Sequence, residues 1–263
     1  MTNEALYQSK IIKGGALLTD TRSLLSQWNV SLSVDENIGT VRRMNTLGKT
    51  SRSRLNSVLR VIKNRYLYNA DIAAMFSHFS TSSMHSDALN LLLFYYAAKN
   101  DQLLYDSSVV ILNEMRQMGR LEIHTEDVIE YLSTWNSEGK MTSDWNDKTM
   151  RRVAHGLTSA LRDFGLLEGA ANKRLKTIHV PLSTFAMVAF ELSHEVSGQR
   201  IVVHPDWSLF QLTQDDVEIL FIEAHQNSLL QYQAAGSTVR IEFPENTRKA
   251  YVDVVIQRTS PTS

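Results

Sequence analysis

Between Val41 and Tyr68 the chain has no acidic residue, while Arg42, Arg43, Lys49, Arg52, Arg54, Arg60, Lys63 and Arg65 are all cationic. An array of this kind displaces the counterions condensed on a nucleic-acid backbone, which is the chemistry of binding rather than of bond making. The spacing sharpens the reading. At about 100° per residue, Leu55, Val58, Leu59, Ile62 and Tyr66 form one stripe suited to a core. Ser53, Asn56, Ser57, Arg60 and Asn64 lie opposite, flanked by Arg52 and Lys63 on one side and by Arg54 and Arg65 on the other. Small polar side chains permit close approach to base edges, and flanking cations reach phosphates on both walls of a groove. A helix, a turn through Gly48 and this second helix resemble a helix-turn-helix. The same residues also suit a plain solvated face, or one that docks on an acidic protein.

A second candidate region runs from Thr125 to Val180. Met150, Val153, Ala154, Leu157, Leu161 and Phe164 keep helical spacing, with Lys148, Arg151, Arg152, Thr158, Ser159 and Arg162 largely off that stripe. A short strand, a polar loop bearing Lys173 and Arg174, and an alternating segment from Leu175 through Lys176 to Val180 follow. This order resembles a winged helix, a fold that serves protein contacts as well as DNA, so fold alone does not decide its use. Lys148, Arg151, Arg152, Lys173, Arg174 and Lys176 form the second set of candidate DNA contacts, diluted by Asp144, Asp147, Asp163 and Glu168. The segment from Thr213 to Phe243 reads as a degenerate third copy.

Catalytic motifs fail on inspection. Gly48-Lys49-Thr50 mimics the end of a phosphate-binding loop, but Arg43 stands where its first glycine is needed and no strand precedes it. His194-Glu195 begins like a zinc-protease helix, but position 198 is Gly198, so no metal-binding histidine pair forms. The chain has no cysteine, which removes thiolate chemistry and disulfides. Acid pairs such as Glu126-Asp127 and Asp215-Asp216 fall at expected helix starts, where the helix dipole accounts for them. The expectation is a non-enzymatic protein with no cofactor.

The elements that must position these residues are mainly α-helical, with helix-turn-helix and winged-helix-like units and small β-hairpins. In a chain of 263 residues with a formal net charge of −1, any polyanion-binding surface must arise from local segregation of charge. Capping signals predict helices near Thr19–Trp28, Ser33–Gly48, Ser51–Tyr66, Asp71–Phe79, Asp87–Lys99, Ser107–Met118, Thr125–Trp135, Trp145–Phe164, Leu182–Val196 and from Thr213. A strand is expected over Gln199–His204, a hairpin around Ala235-Gly236-Ser237, and a final helix after Asn246. Two domains are expected, 1–120 and 121–263. The apolar run Ala88–Ala98 is about half the roughly 20 residues needed to cross a bilayer. The first residues do not read as a secretion signal, so a cytoplasmic location away from membranes is expected.

Several segments together resemble one family. Lys13-Gly-Gly-Ala-Leu-Leu18 leading to Thr21-Arg22 and Leu24-Leu25 is similar to the N-terminal signature of the BrxA family, accessory proteins of BREX phage-defence systems. The Arg60–Arg65 stretch, the apolar Leu91–Tyr96 helix and the turn Gln233-Ala-Ala-Gly236 into Val239–Phe243 are similar as well. The resemblance implies a helical cytoplasmic protein that works beside a methyltransferase, an ATPase and a phosphatase-like partner, with double-stranded DNA as its suspected ligand. It carries over no catalytic residue. Members have often been labelled inner-membrane proteins, which the shortness of Ala88–Ala98 puts in doubt for this chain.

Overall fold

The computed structural model describes residues 7–82, 86–236 and 238–259. The chain is mainly helical. Its first part holds α1 (Ile11–Gly14), α2 (Leu18–Leu25), α3 (Val34–Met44), α4 (Arg52–Tyr66), α5 (Ala70–Thr81) and α6 (Ser86–Lys99). A continuous helical stretch follows as α7 (Gln102–Asp106), a π-helical turn (Ser107–Leu112) and α8 (Asn113–Gln117). Next come β1 (Glu122–Ile123), α9 (Thr125–Ser137), α10 (Asp147–Phe164), β2 (Leu167–Glu168) and β3 (Lys173–Leu175). The last part is α11 (Leu182–Leu192), α12 (Gln199–Val202), a 3-10 turn (Pro205–Phe210), α13 (Gln214–Gln226), the hairpin β4 (Gln231–Ala235) and β5 (Thr238–Glu242), and α14 (Arg248–Thr259).

α6 is the axis of the fold. It is apolar around its whole circumference because α4, α5, α7, α10 and α11 all pack on it, the pattern of a core helix rather than a surface one. The run Ala88–Ala98 is therefore buried in protein, and no described helix is long and apolar enough to cross a membrane.

Two polar clusters tie later elements to this axis. Asp206 is 2% exposed and accepts hydrogen bonds from Tyr95 (3.1 Å) and Tyr105 (2.9 Å), while Lys99 Nζ lies 3.0 Å away. A buried carboxylate is tolerated only when it is bonded and paired in this way. The Arg248 guanidinium donates two bonds to Glu191, at 2.8 and 2.7 Å, a fork geometry that fixes α14 on α11.

β1 and β2 flank β3 in an antiparallel sheet of order β1-β3-β2, beneath the pair α9 and α10. The starts of α3, α4 and α13 follow the capping signals at Ser33, Ser51 and Thr213, whereas α2 starts at Leu18, before Thr19, with no side-chain cap. Ser33 and Glu36 form a reciprocal capping box at α3, and the bonds from Ser33 hold the Glu36 carboxyl below its ordinary range.

The expected strand over Gln199–His204 is instead the single turn α12. Gly198, at φ 59°, approaches the Val239 carbonyl so closely that an added Cβ would sit 2.7 Å from it. Helical bonds then close at once, from the Ile201 amide to Gly198 at 3.0 Å and from Val203 to Gln199 at 3.1 Å. The β-branched run was a burial signal for Ile201 and Val202 rather than a strand signal. The alternation expected to Val180 likewise ends at Leu175, where the pairing with β2 ends.

Candidate nucleic-acid interface

α4 owes its position to local chemistry at its start. Asn45 closes α3 in the left-handed region (φ 47°), and its side chain donates to the Lys49 carbonyl (2.9 Å) and accepts from the Lys49 amide (3.1 Å). Ser51 then caps α4 by accepting from the Arg54 amide at 3.1 Å. The connection is longer than the three or four residues of a tight helix-turn-helix. Ser51→Ala leaves that amide without its cap and lowers unfolding free energy by about 1 kcal/mol, measurable by urea titration.

The apolar stripe behaves as its spacing predicts: Leu55, Val58, Leu59, Ile62 and Tyr66 are all buried. Burial pushes the Tyr66 phenol up to about 12, and its hydroxyl donates to the Ala16 carbonyl at 3.0 Å. On the opposite side Ser53, Asn56, Arg60 and Asn64 are exposed and Ser57 is half-buried. Arg42, Arg43, Arg52 and Arg54 are exposed as well. Among the described residues, none of the guanidinia of Arg42, Arg43, Arg52, Arg54 and Arg60 has a carboxylate within 4.0 Å. Arg42, Arg60 and Asn56 share a shallow groove of about 360 Å³ between α3 and α4.

Tertiary structure brings acids to the rest of the array. Lys49 pairs with Asp20 at 2.7 Å, and Lys63 pairs with Asp35. Arg65 does not flank the polar face; it is 5% exposed, turned toward the carbonyls of Gly14 (3.4 Å) and Gly15, with Asp101 at 3.7 Å. The segment Gly14-Gly15 lies over this edge of α4 and covers a position that helical periodicity leaves at the border of the stripe. Burial raises the Asp101 carboxyl above its ordinary range, against the pull of Arg65.

The second set divides in the same way. Lys148, Arg151 and Arg152 are exposed on α10, with Arg151 bonded to Glu126 at 3.1 Å. Lys173 and Arg174 are not at a loop tip; they are strand residues of β3, Arg174 lying 4.0 Å from Glu122. The turn before them, 169–172, is uncharged, because β3 starts two residues earlier than the alternation from Leu175 suggests. Lys176 is exposed beside a cavity between α6, α10 and α11. Of the tyrosines, Tyr66, Tyr95 and Tyr96 are core, while Tyr68 is 50% exposed.

One contributor escaped the spacing argument. Lys13 is exposed at the end of α1, and its main-chain carbonyl accepts from Arg54 Nη1 at 2.9 Å, which ties the two residues together. The Lys-Gly-Gly sequence is visible, but no periodicity links it to α4.

No curated protein matches the chain. A crystal structure of an uncharacterized protein from Magnetospirillum magneticum is similar in fold, with a TM-score of 0.59 and 18% identity over 79% of this chain and 99% of that one. At that identity the likeness speaks for the fold alone. The sequence model of the BrxA family matches residues 5–191, which takes in α1, the α3–α4 pair and the α9–α10 pair; the chain belongs to the BrxA family.

Proposed function

We propose that this protein is a non-catalytic, duplex-DNA-binding component of a BREX-type phage-defence system. The observation that carries this reading is the exposed set Arg42, Arg43, Arg52, Arg54 and Arg60, gathered on α3 and α4 with no carboxylate within 4.0 Å among the described residues. Exposed guanidinia without carboxylate partners are the electrostatic footprint of phosphate contact. Ser53, Asn56 and Asn64, exposed between them, are short enough to let base edges approach.

In this reading the N-terminal unit, 1–120, supplies the principal contact through α4, the second helix of a helix-turn-helix-like pair with a lengthened connection. The unit 121–263 supplies a second one. Its order of helix, β1, α9, α10, β2 and β3 supports a winged-helix reading, in which α10 takes the place of the groove-reading helix. The uncharged turn 169–172 leaves Lys148 and Arg152 on α10 as the contacts of this unit. The protein acts in the cytoplasm beside the methyltransferase, ATPase and phosphatase-like components of such systems.

A scaffold reading is favoured by one observation. Met44, 70% exposed, follows Arg42 and Arg43 directly at the end of α3, a mixture suited to an acidic protein surface. Purified protein titrated into a fluorescent random duplex separates the two. DNA binding predicts saturable affinity that falls steeply with salt. A scaffold leaves the duplex free at every salt concentration.

A further inference from the structure

The α4 surface and the α10 surface are joined by a short stretch of chain. Tyr7 is anchored to the loop after α9: its amide donates to Lys140 (2.9 Å), its carbonyl accepts from Thr142 (3.0 Å), and its ring lies 5.0 Å from Trp135. From there the chain crosses α10 and reaches α4 as α1. Ile11 is buried against Gly156 of α10, where an added Cβ would stand 3.3 Å from Ile11 Cγ2. Gly14 is buried against Val61 of α4, with 3.1 Å left to the Val61 methyl groups. Glycine on either side thus lets α1 lie close to both helices at once.

Two successive packings at roughly 8–10 Å each keep the axes of α4 and α10 within about 16–20 Å of one another. That span fits inside one duplex turn of about 34–36 Å. The connecting stretch adds charge of the same sign. Residues 7–19 contain Lys10 and Lys13 and no acid. Lys13 is exposed beside Arg54. Arg152, one helical turn before Gly156 and so on the side of α10 toward α1, is exposed and has no carboxylate within 4.0 Å among the described residues.

We infer that α4, the α1 segment and α10 form one cationic track that engages a single duplex within one turn, with Lys13 and Arg152 as phosphate contacts between and beyond the α4 residues. This rests on the DNA-binding reading and deepens it. The alternative is a single reading helix, α4, with α10 facing solvent or protein. The track also gives Gly14 of α1 and Gly156 of α10 a role: they let α1 bring the two helices close enough to share one duplex.

The salt dependence of binding tests the inference, because each phosphate contact contributes about 0.9 to the slope of log K against log salt. The double variant Lys13→Ala/Arg152→Ala, measured on a random duplex of two turns, is expected to lose about 1.8 of slope. Its affinity at 0.1 M salt falls on the order of sixtyfold. Both residues are exposed, so thermal unfolding serves as a control and stays unchanged. A double variant that binds with the wild-type slope, while Arg60→Ala weakens binding, overturns the single track and leaves DNA binding by α4 standing. Wild-type protein that ignores the duplex overturns the reading beneath both.

Discussion

Alanine at both Arg42 and Arg60 lowers affinity for a random duplex on the order of sixtyfold at 0.1 M salt, about eightfold for each phosphate contact removed. Both side chains are exposed along the α3–α4 groove and neither has a carboxylate partner among the described residues, so unfolding by heat is unchanged within about 0.5 kcal/mol. Lys63 is a poorer choice for this experiment. Asp35 already neutralises it, and its loss leaves that carboxylate facing the DNA. Fluorescence anisotropy across a salt series checks the prediction. A wild-type slope in the double variant removes α3 and α4 from the interface.

Arg65→Ala gives the reverse pattern. The guanidinium is buried between the Gly14 and Gly15 carbonyls and Asp101. Removing it leaves a mostly buried carboxylate and two carbonyls without their donor. Breaking a buried pair from one side costs about 3–5 kcal/mol, which for a chain of this size lowers the melting temperature by roughly 10 °C. Binding per folded molecule changes little, since Arg65 presents no charge to solvent. Calorimetry and anisotropy on the same preparation check both halves. A large loss of affinity without loss of stability would show that the side chain turns outward to meet the ligand. Arg60 and Arg65 lie five residues apart on one helix, yet one is exposed on the proposed interface and the other is buried in the fold.

That contrast explains what periodicity alone can deliver. The stripe from Leu55 to Tyr66 follows from 3.6 residues per turn, because apolar residues on one side of a helix have one stable place to go. The starts of α3, α4 and α10 follow from Ser33, Ser51 and Asn146, whose side chains satisfy amides within the next turn. Such effects act over three or four residues and need no knowledge of the rest of the chain. The α12 region departs from its β-branched signal because a close approach of Gly198 to the hairpin, some forty residues later, closes the backbone first.

The sequence by itself therefore determined the helical class, the buried stripe and the acid-free run from Val41 to Tyr68. Only tertiary structure decided which cations remain free. Asp20 of α2, Asp35 of α3 and Asp101 between α6 and α7 arrive to take Lys49, Lys63 and Arg65, and α1 arrives to join α4 to α10. The reason is physical: an apolar stripe records a local partition between water and core, whereas a charge is neutralised by whatever the fold carries to within about 4 Å of it, from any distance along the chain.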